Sequence, residues 1–242
     1  MKKSILNTSA FRYIFEILVI VFSVTLSFYI QDVLNDREKL ELKNISLRGV
    51  SSDLEKDIIN FNYAVNLGRK RISNIDTILN PKYDLSSKVV NTGAKRYFGF
   101  LGNNSNYKSM VSSGALEFIA DSRLFELLNR YYSSHYDIMK DMSDQDENNY
   151  NQMIEFLSNN YLSSTGDLFA IENTEADLYN KIDSLYPVNY DEESLKRMKN
   201  DRVFISKIIH QKSTARINMN LFLRAITVNE ELQVLIQKEI NN

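Results

Sequence analysis

Across 242 residues the chain carries 29 basic and 31 acidic side chains, and a net charge of −2 gives no electrostatic reason to expect nucleic acid as a partner. It has no cysteine, which excludes disulfides, thiolate nucleophiles and cysteine-ligated zinc. Hydrophobic residues make up 43%, enough for a core, and only two prolines and seven glycines point to long helices with few interruptions.

The N-terminal element is an apolar run from Phe11 to Ile30, FRYIFEILVIVFSVTLSFYI. About 20 such residues in a helix cross a bilayer core. A secretory signal would be shorter, about 7–15 apolar residues, and would end at a small-x-small site. The exit here, Ser27-Phe28-Tyr29-Ile30-Gln31-Asp32, offers none, so an uncleaved anchor is expected. Tyr13 and Tyr29 lie near its two ends, where amphipathic rings suit the interface. Lys2, Lys3 and Arg12 favour a cytoplasmic N-terminus, although Arg37, Lys39, Lys43 and Arg48 on the other flank pull the opposite way. Residues 1–10 thus read as a tail, 11–31 as a transmembrane anchor and 32–242 as a helical extracytoplasmic domain on a bacterial inner membrane.

Beyond the anchor, Leu54, Ile58, Phe61, Val65, Gly68, Ile72, Ile75 and Leu79 follow steps of four and three, with Leu47 one heptad earlier. That spacing keeps one seam on one side of a helix. The expected helix runs from Phe11 until Asn80-Pro81, and Gly49-Val50-Ser51-Ser52 is where a break would fall. A shorter helix is expected over 88–101, before the turn cluster Gly102-Asn103-Asn104-Ser105-Asn106, and two short helical turns over 107–120. Asp121 or Ser122 then caps a long helix. Its seam is read as Leu124, Leu128, Tyr131, His135, Ile138 and Met142, continued by Gln145, Asn149, Met153 and Phe156. Residues 174–186 suggest another short helix, closed by Pro187. From Asp191 to about Ile240 there is neither Pro nor Gly, and Leu195, Met198, Ile205, Ile209, Met219, Leu223 and Ile226 share a seam, with Leu232, Leu235 and Ile236 at its end. No stretch alternates with period two between hairpin turns. The expected fold is all-α: one transmembrane helix continuing into a bundle of long helices with short connecting helices.

Three segments carry a resemblance. They are Tyr13-Ile14-Phe15-Glu16-Ile17-Leu18-Val19-Ile20 with Gln31 after the apolar run; Ser109-Met110-Val111-Ser112-Ser113-Gly114-Ala115-Leu116-Glu117-Phe118-Ile119, then Leu124, Leu128 and Tyr131-Tyr132; and Leu232-x-x-Leu235-Ile236. Together they resemble an uncharacterised family of single-pass bacterial membrane proteins, common in Bacteroidota and known as a domain of unknown function. Where that family often has glycine before the glutamate, this chain has Phe15. The resemblance implies single-pass topology and helical content, and no activity.

Four places invite a functional reading. Glu16 is ionisable inside the apolar run, where a charge costs roughly 2.5–3.5 kcal/mol at the helix centre. Arg12, four residues earlier, shares its face, so the pair is either an ion pair at the headgroup boundary or a carboxylate serving assembly or proton handling. Ser112-Ser113-Gly114 is either a backbone pocket for a small ligand or a turn with capping hydroxyls. His135, at a seam position, is either a hydrogen-bonded core residue or a pH-responsive switch. The acidic string Asp137, Asp141, Asp144, Asp146 and Glu147 lacks the glycine and closing glutamate of a calcium loop and reads as a solvated face. His135 and His210 have no matching ligand spacing, so no metal is expected, and no nucleotide-loop, nucleophile-elbow or metalloprotease motif is present.

The sequence therefore predicts no cofactor and no catalysis. It predicts a membrane-anchored binding, scaffold or sensor-like protein acting through the bilayer and a partner membrane protein or a second copy. The alternative is an accessory subunit of an ion-driven or channel-type complex that uses Glu16.

Overall fold

A computed structural model describes residues 5–161 and 188–241. The short helix expected over 174–186 lies outside the described residues. Those described form helices and no strand, as the sequence predicts: α1 (Ile5–Leu79), α2 (Ser87–Ala94), α3 (Ser105–Ser112), a 3₁₀ turn (Ala115–Phe118), α4 (Ser122–Arg130), a π-turn (Tyr131–His135), α5 (Tyr136–Tyr161), α6 (Glu192–Asn200) and α7 (Arg202–Asn241).

Helix α1 runs unbroken for 75 residues, about 110 Å. Among the described residues it is the one helix long and apolar enough to cross a membrane. From Arg12 to Leu42 every residue of α1 is exposed, and burial begins at Lys43. Gly49 does not break the helix. A Cβ there would stand 2.7 Å from Asn106 Oδ1, so this glycine lets the start of α3 approach α1.

The bundle is up-down-up-down. α1 ascends from the apolar end, and α7 descends beside it: Lys43 meets Glu239, Asn229 reaches the Leu54 carbonyl, and Lys212 pairs with Asp76. α4 and α5 ascend parallel to α1, joined to it by Tyr131–Asp57 and then Arg71–Asp146. The second leg descends from α2 through an extended stretch to α3 and the 3₁₀ turn. Two apolar clusters result: a proximal one around Leu54, Phe61, Leu128 and Phe222, and a distal one around Ile75, Ile78, Met153 and Phe204.

That second leg departs from the expected helix over 88–101, which stops at Ala94. Phe98 and Phe100, two apart on an extended chain, both turn inward. Phe98 packs edge-on against Phe222 at 5.8 Å, and Phe100 against Tyr136 at 4.9 Å. A non-helical segment without ladder partners leaves backbone groups to be satisfied. Helix side chains meet them: Ser143 Oγ accepts from the Phe100 N–H at 2.7 Å and donates to the Phe98 carbonyl at 3.0 Å. Asp57 accepts from the Asn103 N–H at 2.8 Å, and Asp53 from the Asn106 N–H at 2.9 Å.

The ascending leg is capped by Asp121, whose carboxylate accepts from the Arg123 and Leu124 N–H groups. Its seam changes register at the π-turn, where one extra residue enters the helix. Beyond it Tyr136, Met139, Ser143, Asp146 and Leu157 are buried, each one residue later than the seam read from the sequence, while Met153 is buried as read and Ile138 is exposed. Near the other end, Asp201 interrupts the helix expected over 191–240. Its carboxylate accepts from the Val203 and Phe204 N–H groups at 2.7 and 3.2 Å, starting α7 afresh. The first part of the α7 stripe sits one residue from the predicted one: Phe204, Ile208, Asn218 and Phe222 are buried while Ile209 and Leu223 are exposed, whereas Leu232 and Ile236 near its end are buried as predicted.

Candidate functional site

Between the two apolar clusters, at the waist of the bundle, lies a cavity of about 660 Å³. Its lining includes α2 and the non-helical segment that follows Ala94. The α1 wall presents Ala64, Leu67, Gly68 and Arg71. The leg contributes Lys95, Arg96 and Phe98, α5 contributes Asp146 and Tyr150, and α7 contributes Asn218, Met219 and Phe222. At Gly68 the nearest atom to an added Cβ is Met219 Cβ at 3.6 Å, an ordinary contact.

The floor of the waist is a buried ion pair. Arg71 Nη1 lies 2.9 and 2.7 Å from the two Asp146 carboxylate oxygens. Burial pushes the Asp146 carboxyl above its ordinary value, and Arg71 offsets only part of that. The Nε and Nη2 of Arg71 have no partner and are sealed from solvent. Lys95 is half-buried, makes no ion pair, and is pushed down to about 8 by desolvation. Burial also lowers Arg96, with Tyr63 opposing.

Below the waist stands a polar hub. The fully buried Asp57 accepts from Tyr131 at 3.2 Å, from Tyr136, and from both the backbone and side-chain nitrogens of Asn103. Asn229 Nδ2 donates to Tyr131 Oη at 3.1 Å. Burial raises the Asp57 carboxyl against those donors. At the proximal end, Lys43 Nζ and Glu239 Oε1 form a buried pair at 2.8 Å, and the same oxygen accepts from the Ala120 N–H at 3.0 Å.

The residues singled out from the sequence are scattered. Arg12 Nε and Glu16 Oε1 pair at 3.1 Å on the exposed length of α1. Ser112 and Ser113 lie on the surface where α3 ends, their hydroxyls donating to the Ser109 and Met110 carbonyls at 3.0 and 3.2 Å. Gly114 turns the chain there with φ +73°, and a Cβ on it would meet nothing within 4 Å. His135 is half-buried in the π-turn, its ring 6.2 Å from that of Tyr131, and burial with Arg130 lowers its pKa. Neither His135 nor the 112–114 turn lines the cavity. Of the acidic string, Asp137, Asp141, Asp144 and Glu147 do face solvent, but Asp146 is buried against Arg71. The π-turn, which carries Asp146 round to α1, accounts for that correction.

Sequence reasoning missed Asp57, Arg71 and Lys95. Asp57 and Arg71 sit three or four residues from seam positions, and that proximity was the available signal. Among the described residues no cluster of His, Asp or Glu suits a metal ion. No protein-family model, curated protein or solved structure matches the chain.

Proposed function

We propose that this chain is a single-pass, membrane-anchored helical binding module, scaffold-like or sensor-like, that acts through a partner in the membrane and has no catalytic chemistry of its own. The observation that carries the reading is α1: one unbroken helix includes the apolar run and the ascending core helix of the bundle. A shift in packing at the waist therefore acts on the same rod as the anchor. At the proximal end the buried Lys43–Glu239 pair fastens α7 and the turn before α4 to that rod. Basic residues Lys2, Lys3 and Arg12 support a cytoplasmic N-terminus, with the bundle on the outer side of a bacterial inner membrane.

Purification of the full-length protein from its own membranes in mild detergent, beside a Glu16→Gln variant, tests the reading. A stoichiometric membrane partner, or a cross-linked second copy, is the expected result. Loss of that partner in the variant would assign Glu16 to assembly or to an ion path. Recovery of the chain alone in both samples would refute action through a partner.

A further inference from the structure

Among the described residues, Lys88 and Lys95 line the waist cavity beside Arg71, and the one acid in its lining, Asp146, is already engaged by Arg71. Between them the walls are apolar and aromatic, with Leu67, Phe98, Met219 and Phe222 spread over three elements. Its volume, about 660 Å³, falls within the range of small-molecule sites, about 300–1,000 Å³. We propose that this cavity binds a small amphipathic organic anion, its apolar body against Leu67, Phe98 and Phe222 and its carboxylate on Lys95.

Lys95 is assigned as the anchor, and Arg71 is not. The free nitrogens of Arg71 are sealed behind the wall, whereas Lys95 lines the cavity without a counter-ion. A desolvated ammonium with no anion beside it is disfavoured, and a bound carboxylate supplies the missing charge. The depressed pKa of Lys95 is consistent with that unmet need.

The site stands on the cavity walls alone. Its distance from the bilayer rests on the anchoring reading: Gly68 is 38 positions beyond Ile30 on one continuous helix, about 55 Å. A lipid headgroup held in the membrane cannot reach so far, and the ligand is a free molecule in the surrounding solution.

The test uses the full-length chain in lipid nanodiscs, with binding to empty discs subtracted. Three matched probes are titrated by calorimetry: 4-phenylbutyrate, 4-phenylbutan-1-ol and 4-phenylbutylamine. The acid should bind at one site, the alcohol about tenfold more weakly or worse, and the amine not measurably. Lys95→Met should reduce the affinity for the acid to that for the alcohol. Gly68→Leu grows a side chain from a position with only ordinary contacts and should abolish binding, with helical content unchanged. Equal affinity for acid and alcohol, no binding of the acid, or binding indifferent to Lys95→Met would each overturn the proposal. Should Gly68→Leu fail to fold, the Lys95→Met arm decides alone. Because no partner is present, success here beside failure of the co-purification would keep the site and remove the partner.

Discussion

Asp57→Ala is the sharpest probe of how the non-helical leg is held. The carboxylate accepts from the Asn103 N–H, Asn103 Nδ2, Tyr131 and Tyr136. After truncation Tyr136 can turn its proton to the Asn103 carbonyl, 3.0 Å away. Tyr131 still accepts from Asn229 but has nowhere to donate, and the Asn103 N–H loses its acceptor. One buried and one partly buried orphaned donor at about 1–3 kcal/mol each give about 4 kcal/mol, reduced slightly because a buried charge is no longer desolvated. The expected loss is about 3–4 kcal/mol, or a fall of about 10 °C in Tm for a domain of this size. Asp57→Asn still accepts from the Asn103 N–H but leaves the Tyr131 proton without an acceptor, so its cost should be about 2 kcal/mol. Thermal melts of the full-length protein followed by circular dichroism measure both, and the double variant with Tyr136→Phe measures the coupling. Asp57→Ala within about 1 kcal/mol of the parent protein, or Asp57→Asn as damaging as Asp57→Ala, would show that the leg does not depend on this carboxylate.

Gly68→Ala should raise stability by about 0.5–1 kcal/mol, since its Cβ meets only ordinary contacts and alanine is the better helix former; the same melts would show a rise of about 2 °C. Lys95 titrates near 8 in the folded protein against its ordinary 10.5, so the unfolded chain holds more protons between those values. Stability should therefore climb from pH 8 to 10.5 in the parent protein and lack that climb in Lys95→Met. At neutral pH the same variant should gain about 1 kcal/mol after allowance for solvent screening, read as a higher urea midpoint.

Much of this architecture was legible because it is periodic. The α1 seam through Leu47, Leu54, Phe61 and Ile75 follows from steps of three and four, and those residues are buried. The register of the other long helices was harder to read. An apolar-only reading passes over Gln211, Asn218 and Asn229, which occupy the buried stripe of α7 because they bond to α5, Leu54 and Tyr131. The π-turn leaves no periodic trace, since Tyr131, Tyr132 and Tyr136 are all buried and straddle both registers. The cavity lining includes the segment after Ala94, where α2 stops, and nothing in Lys95-Arg96-Tyr97-Phe98 forbids another helical turn. What ends the helix is tertiary: Phe98 and Phe100 bury together only when extended.

The pairing of α1 with α7 governs how this protein is made. Lys43 finds Glu239 only 196 positions later. At about 5–20 residues per second, the ribosome needs about 10–40 seconds to supply that partner. Throughout that interval Leu47, Val50, Leu54 and Phe61 lack the α7 side of their packing. A nascent chain of this kind presents an uncovered apolar seam to its surroundings for that interval. Premature termination before Asn229 would leave that seam permanently half-covered and mark the product for proteolysis.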